Sequence, residues 1–249
     1  MRYSRGTDGT RNDDATCRKQ YLLLHRRTLR RGIDARQVRE SRISHSIVEG
    51  STAFVSNDAS EPTGVALGHA LPSKKFTNRL WKLSCLIAHR LRQYGDGPTF
   101  AFVRPATYHI TVYNRSHFDR SEVFDLSPSE MGIVERAIAE ARIGGISIEF
   151  NGLVMTPEGR IIVRGFPQGD QLSLLRSCVA QAMPTVDSAP PQLAHIKLGH
   201  VLVCPSQSQI RELSDWLGQC GYHVDSRLVF TDVYTPLGRL PLFGYEPVT

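Results

Sequence analysis

The sequence predicts an α+β fold built mainly from antiparallel sheets. From Ser51 onward, two kinds of segment follow each other along the chain. Short apolar segments, in which apolar and polar residues alternate as in a strand, are interspersed with longer segments whose apolar residues recur every three or four positions, as in a helix. Pro157-Glu158-Gly159 separates two alternating segments, which is typical of a β-hairpin. The same order of strands and helices occurs twice along the chain. This repetition favours two related halves with the helices on the outside.

In the first half, the predicted strands are Ser51–Val55, Gly64–Leu71, Thr99–Val103 and Tyr108–Tyr113. A helix over 73–94 is predicted from apolar residues at helical spacing, namely Phe76, Leu80, Leu83, Ile87 and Leu91. A second helix, running to Gly144, opens at Ser127-Pro128-Ser129-Glu130. There Ser127 is the expected N-cap and Glu130 completes a capping box.

In the second half, the predicted strands are Ile146–Met155, Arg160–Phe166, 193–203, His223–Tyr234 and Leu242–Val248. The last two are expected to form a closing hairpin across Pro236-Leu237-Gly238. Helices are predicted over about 170–183 and 206–219. Ser206 is the expected cap of the second of these helices, and Gly221 its end.

The composition is that of a globular protein without a membrane span. The 249 residues are 41% apolar and 22% charged, and no apolar run approaches the ~18–20 residues that cross a bilayer. The five cysteines lack Cys-x-x-Cys spacing, which favours reduced thiols over a disulfide framework or a zinc site. We therefore expect a cytoplasmic monomer.

The positive charge is concentrated at the N-terminus. Residues 1–45 carry twelve Lys or Arg against five Asp or Glu, whereas the rest of the chain carries 18 against 19. No aromatic side chains alternate with the arginines as a base-stacking surface would require. We interpret 1–47 as a basic, flexible extension and 48–249 as the folded domain; an RNA-binding arm is the alternative.

Two segments share a histidine pattern that points to function. Tyr108-His109-Ile110-Thr111 and Ala194-His195-Ile196-Lys197 each carry a histidine and a second polar residue two positions later. In a strand these two side chains share one face, about 6–7 Å apart. A single such histidine is more often structural than functional, but the repetition favours a joint site. Two adjacent strands of this kind would place two imidazoles and two phosphate-binding groups around one cleft.

This arrangement suits phosphodiester hydrolysis without a metal. Hydrolysis of a cyclic phosphate needs a base that activates water and an acid that protonates the departing ribose oxygen. Histidine serves either role near neutral pH because its unperturbed pKa is about 6.5. We expect one of His109 and His195 to be neutral and the other protonated. The sequence does not say which is the base.

The order of elements around these motifs resembles the two-histidine (2H) phosphoesterase superfamily, which includes LigT-like RNA 2′,3′-cyclic phosphodiesterases. The resemblance covers roughly residues 48–249 and rests on both histidine segments together with the intervening helix and hairpin. The Glu49-Gly50-Ser51-Thr52 opening and Tyr-His-Ile-Thr-Val-Tyr are closer to a poorly characterised branch. The resemblance implies a bilobal fold, with two mainly antiparallel sheets facing each other across a central cleft and helices outside.

The resemblance also implies roles for the motif residues. His109 and His195 match the catalytic histidines, and Thr111 matches the hydroxyl residue that binds phosphate. Lys197 departs from the family pattern, which has Thr or Ser there. An ammonium brings a full charge and three donors where a hydroxyl donates one neutral hydrogen bond. Lys197 therefore either strengthens phosphate binding or reaches past the pocket and disables it.

Three further side chains are weaker candidates for substrate binding. Tyr113 shares the face of His109 by period two, Arg164 lies on the hairpin strand before Gly165, and Tyr234 precedes the final turn. His200 lies five residues beyond His195, so a regular strand would turn it to the opposite face, where we expect a structural role. His117 is expected in a loop.

The expected partner is an RNA terminus or a small cyclic nucleotide, with no cofactor. An alternative is a non-catalytic RNA- or nucleotide-binding module on the same fold, in which Lys197 and the basic extension supply the charge. A metal-dependent hydrolase is disfavoured because the histidines have no His-Glu-x-x-His spacing or carboxylate cluster.

Overall fold

The structure, a computed structural model, describes residues 10–36, 38, 46–49, 52–55, 64–67, 71–114, 128–182, 193–235 and 238–242. The α-helices in this part are α1 (Thr10–Arg31), α2 (Lys74–Leu91), α3 (Pro128–Ala141), α4 (Gln171–Ala182) and α5 (Gln207–Cys220). The strands are β1 (Ser46–Glu49), β2 (Thr52–Val55), β3 (Gly64–Leu67), β4 (Phe100–Phe102), β5 (Ile110–Asn114), β6 (Ile146–Met155), β7 (Arg160–Gln168), β8 (Ala194–Val201), β9 (Ser226–Phe230), β10 (Asp232–Thr235) and β11 (Gly238–Pro241). Short 3₁₀ helices span Arg92–Tyr94, Pro105–Thr107 and Gly221–Val224. The predicted α+β class is confirmed.

The strands form two sheets. A seven-stranded sheet has the order β1-β2-β4-β8-β7-β6-β9, and a four-stranded sheet has the order β11-β10-β3-β5. Among the described strands β2 and β4 pair in parallel, and the other pairs are antiparallel. The two histidine segments therefore belong to different sheets, with β8 central in the larger one and β5 at the edge of the smaller one.

The main core lies between the seven-stranded sheet and the helices α2 and α5. The predicted apolar stripe of α2 is buried, and the Oγ of Ser73 caps this helix by accepting from the amide of Phe76 at 3.2 Å. Ser206 and Gln209 form a capping box at the start of α5, as the sequence predicts for Ser206. These helices bury Ile161, Val163 and Ile196 of the sheet on one face, which leaves the opposite face for other contacts.

The helix α1 covers part of that opposite face. Cys17 and Tyr21 of α1 are buried in a small apolar cluster with Val154, Ile162 and Phe166. The buried Thr28 donates from Oγ1 to the carbonyl of Met155 at 2.9 Å. The prediction of a flexible extension up to residue 47 is therefore wrong for α1. An apolar stripe at helical spacing within the basic segment packs this helix onto the sheet.

Other boundaries differ locally from the predictions. The closing hairpin forms, but β10 pairs with β11 rather than with a strand over Leu242–Val248, and residues 243–249 lie outside the described part. Ser127 and His117 also lie outside it, so the predicted cap and loop position are not described. Within the described part, no helix combines the length and apolar character that a membrane crossing needs.

Candidate active site

The second histidine segment lies on β8, in the middle of the larger sheet. His195 pairs with Arg164 of β7, and Lys197 pairs with Ile162. Directly opposed residues of an antiparallel pair share a face. Because Ile162 packs against α1, His195 and Lys197 lie on the α1 side of the sheet. Both side chains are partly exposed, whereas the intervening Ile196 is fully buried in the main core.

A bulge in β8 brings His200 to the same face. Ile162 pairs with Lys197, but the next residue of β7, Ile161, pairs with Gly199, so β8 has one extra residue there. The bulge shifts the alternation, and His200 then pairs with Arg160 on the face of His195. The prediction that His200 faces the opposite side is wrong for this reason. His200 is 8% exposed.

The first histidine segment has a different backbone. Pro105–Thr107 forms a 3₁₀ turn, and β5 begins only at Ile110, so His109 lies just before the strand rather than within it. The Nδ1 of His109 lies 2.8 Å from the carbonyl oxygen of Thr107. A carbonyl only accepts, so Nδ1 carries the hydrogen in this bond. This bond fixes the orientation of the His109 ring.

Arg176 of α4 joins the two histidine segments. The Nη2 of Arg176 donates to the carbonyl of Thr111 at 2.9 Å and to the carbonyl of Leu193 at 3.0 Å. Thr111 lies two residues after His109, and Leu193 lies two residues before His195. The strands β5 and β8 also contact each other directly. The structure thus brings the two predicted histidine segments together through a buried guanidinium group.

Protonation of His195 is strongly disfavoured. Burial, followed by the positive charges of Arg160, Arg176, His109 and Lys197, lowers the pKa of His195 to about 3. Its Nδ1 is buried and has no hydrogen-bond partner among the described residues. His195 is therefore neutral at pH 7 in the free protein. The same influences show that His109, Lys197 and Arg160 are close enough to act electrostatically on one imidazole.

The two tyrosine candidates have different positions. Tyr113 pairs with Val65 while Thr111 pairs with Ala66, so a bulge in β5 places Tyr113 and Thr111 on opposite faces. Tyr113 is 2% exposed and belongs to the main core, which corrects the prediction that it shares the face of the site. Tyr234 pairs with Ala66 and lies in the same row as Thr111. It is partly exposed on the Thr111 face, two strands away.

Arg164 starts opposite His195, but its guanidinium group extends towards β6. Its Nε donates to the carbonyl of Asn151 at 2.9 Å, and its Cζ lies 6.0 Å from the centre of the Phe166 ring. The basic group of β7 that acts on His195 is Arg160 instead. Arg164 is therefore beside the histidine site rather than in it.

Two residues of the site were missed by sequence reasoning, although the sequence contains signals for both. Arg176 falls in the buried stripe of α4 with Leu172, Leu175 and Val179, where a charged residue needs a specific partner. Arg160 lies four residues before Arg164, on the same face of the predicted strand. Neither residue belongs to a histidine motif, so the motif pattern did not reveal it.

Comparisons add no assignment to this geometry. No protein-family model matches the chain, and no curated protein matches it. Among the described residues, no group of three or more His, Cys, Asp or Glu side chains is arranged to hold a metal ion.

Proposed function

We propose that the chain is a metal-independent phosphodiesterase that hydrolyses a cyclic phosphate, either an RNA 2′,3′-cyclic end or a cyclic nucleotide. The observation that supports this most strongly is the Arg176 bridge between Thr111 and Leu193. It holds two histidine segments from different sheets beside each other, as an acid–base pair requires. In this proposal the two sheets act as the two facing lobes of a 2H phosphoesterase-like fold, in a cytoplasmic monomer.

The two histidines take different roles in this reaction. His195, whose depressed pKa keeps it neutral, accepts a proton from the attacking water. The water oxygen bonds to phosphorus as the bond from phosphorus to the leaving ribose oxygen breaks. His109, held through Nδ1 by the Thr107 carbonyl, delivers a proton from Nε2 to that ribose oxygen. Proton exchange with solvent then restores both imidazoles.

The cations around His195 bind the phosphate in this proposal. Lys197 and Arg160 neutralise the non-bridging oxygens, and the Thr111 hydroxyl donates a further hydrogen bond. The same cations destabilise a protonated His195. A bound phosphate offsets their charge, which raises the pKa of His195 and makes it a stronger base within the complex.

The test is hydrolysis of nucleoside 2′,3′-cyclic monophosphates in the presence of EDTA. Wild-type protein is expected to turn over at least one of the four nucleotides, and His109→Ala and His195→Ala are expected to lower this activity by about 10²-fold or more. His89→Ala, at an exposed position on α2, is a matched control that keeps the wild-type rate. A rate close to that of wild-type protein in either site variant would exclude the two-histidine mechanism.

A non-catalytic RNA- or nucleotide-binding module on this fold is the second candidate. Lys197 favours it, since a lysine stands where the family has a hydroxyl residue and adds to a cluster of positive charge. In that case nucleotides bind with an affinity that falls steeply with salt, and no cyclic phosphate is opened. Equal binding with and without Lys197→Met would remove this candidate.

A further inference from the structure

Two arginines share one aromatic ring on the face of the sheet that carries His195. The Cζ of Arg18, on α1, lies 4.6 Å from the centre of the Phe166 ring, and the Cζ of Arg164, on β7, lies 6.0 Å from it. The two guanidinium groups come from segments 146 positions apart in the chain. Each raises the local positive potential that the other experiences.

The fold holds Arg164 in this position. Its Nε donates to the carbonyl of Asn151, where β6 bulges between Phe150 and Leu153. Gly152 in this bulge has φ +76, and the guanidinium of Arg164 occupies the space that a Cβ would need. Burial, with Arg18 as a further cause, lowers the pKa of Arg164. The fold thus holds the guanidinium group of Arg164 at a place where burial disfavours its charged form.

The fold also holds Arg18 there. Tyr21 lies one turn later on α1, and its hydroxyl donates to the carbonyl of Ala194 at 2.6 Å and accepts from the amide of Gly165 at 3.2 Å. Ala194 immediately precedes His195. The contact that anchors the turn of α1 carrying Arg18 is therefore made at the strand position next to the candidate base.

Two guanidinium groups over one ring act on each other with like charge, and an anion bound by both offsets this repulsion. We propose that Arg18 and Arg164 form a second anion subsite, which binds the 5′-phosphate or 5′-phosphodiester of the nucleotide whose cyclic phosphate lies at His109 and His195. This inference rests on the proposed function and extends it: the preferred substrate is the 3′ end of an oligoribonucleotide rather than a mononucleotide.

The spacing agrees with this substrate. Arg164 and His195 are directly opposed on β7 and β8, so their Cβ atoms are about 5 Å apart, and the arginine side chain then extends away from the histidine. One nucleoside separates a 5′-phosphate from a 2′,3′-cyclic phosphate. In this proposal, one nucleotide spans from the histidine pair to the two arginines.

The experiment compares uridine 2′,3′-cyclic monophosphate with the same nucleotide carrying a 5′-phosphate. For wild-type protein we expect kcat/KM to be about tenfold higher with the 5′-phosphate, since a charge-assisted contact is worth about that factor. In Arg18→Ala this ratio is expected to fall close to one, and in Arg18→Lys to stay between the two values.

Arg27→Ala is the matched control. Arg27 is exposed on α1, nine residues from Arg18 and therefore on the opposite flank of the helix. The Arg27→Ala substitution removes the same charge from the same helix. It is expected to keep the wild-type ratio of the two kcat/KM values. A wild-type ratio near one, or an equal decrease in Arg18→Ala and Arg27→Ala, would overturn the subsite.

A binding measurement separates this inference from the proposed function. Calorimetry with uridine 3′-monophosphate and uridine 3′,5′-bisphosphate needs no turnover. If wild-type protein opens no cyclic phosphate but binds the bisphosphate about tenfold more tightly, and Arg18→Ala loses that difference, the subsite stands although the catalytic proposal fails. Equal affinities for the two ligands in wild-type protein would reject the subsite whatever the activity.

Discussion

The two histidine segments share a sequence pattern but differ in structure. His195 lies within a central strand, flanked by β4 and β7, with a buried Nδ1 and a pKa lowered to about 3. His109 lies outside its strand, at the end of a 3₁₀ turn, and its Nδ1 is satisfied by the carbonyl of Thr107. Both side chains are partly exposed, but the same His-x-polar pattern yields one imidazole with a buried, unpartnered Nδ1 and one whose Nδ1 is anchored by a carbonyl.

The difference shows how environment divides the roles of two identical side chains. A carbonyl acceptor at Nδ1 orients the His109 ring, whereas burial among cations opposes the protonated form of His195. An acid and a base near neutral pH need opposite protonation states. The contrast between the segments is the basis on which we propose His195 as base and His109 as acid.

The largest effect is expected from removing either imidazole. His109→Gln and His195→Gln should each lower kcat for a cyclic nucleotide by about 10²- to 10⁴-fold. The double variant should lose little more than the worse single variant, because the two act as a unit. Steady-state assays in EDTA measure this. Losses that multiply in the double variant would show that the two residues act independently.

The next largest effect concerns the bridge between the segments. Arg176→Met should lower the free energy of unfolding by about 2–3 kcal/mol, since the partly buried carbonyls of Thr111 and Leu193 lose their donor. Urea unfolding measures it, with the exposed Arg211→Met as control. A change of the size seen in the control would mean that the bridge contributes little to holding the segments together.

Substitutions at Lys197 test the second polar position of the motif. Lys197→Thr gives the second segment the residue that Thr111 supplies in the first. Lys197→Met should lower kcat/KM by about 10- to 100-fold through loss of a charged phosphate contact, and Lys197→Thr by less. The exposed Lys82→Met on α2 is the control. If Lys197→Met instead matched wild type, Lys197 would not contact the phosphate.

The smallest effect is a shift in the pKa of His195. Titration by NMR should give a value near 3 for the free protein and a higher value with inorganic phosphate or in Lys197→Met, because each change reduces the positive charge around the ring. An unperturbed value near 6.5 in the free protein would remove the distinction between the two histidines.

The same shift links His195 to stability. The unfolded chain takes up a proton at His195 near pH 6.5, while the folded protein does so only near pH 3. The free energy of unfolding should therefore fall as the pH drops through this interval. His195→Gln should show a shallower decrease, measurable by urea unfolding at several pH values.

Much of the fold could be predicted from local patterns. The α2 stripe, the Ser206 cap and the β6–β7 hairpin follow from periodicity and turn residues, which depend on neighbours in the sequence. The bulges in β5 and β8 could not be predicted, since one extra residue leaves the apolar pattern unchanged yet reverses the faces of Tyr113 and His200.

The candidate site was predictable in part for a similar reason. A repeated motif identifies His109, His195 and Lys197 as candidates. Arg176 acts through backbone carbonyls in two distant segments, which no motif encodes. The packing of α1 onto the sheet was not predicted, because seven basic residues dominate the composition of this helix. Its buried stripe includes Cys17 and Tyr21. Long-range packing decides both features.

The pH dependence of kcat/KM for a nucleoside 2′,3′-cyclic monophosphate, measured in EDTA, tests the central claim most directly. We predict a bell-shaped profile whose alkaline limb reports loss of the His109 proton and whose acidic limb lies far below neutrality, where His195 becomes protonated. A rate that stays flat between about pH 5 and 9 would contradict acid–base catalysis by this histidine pair.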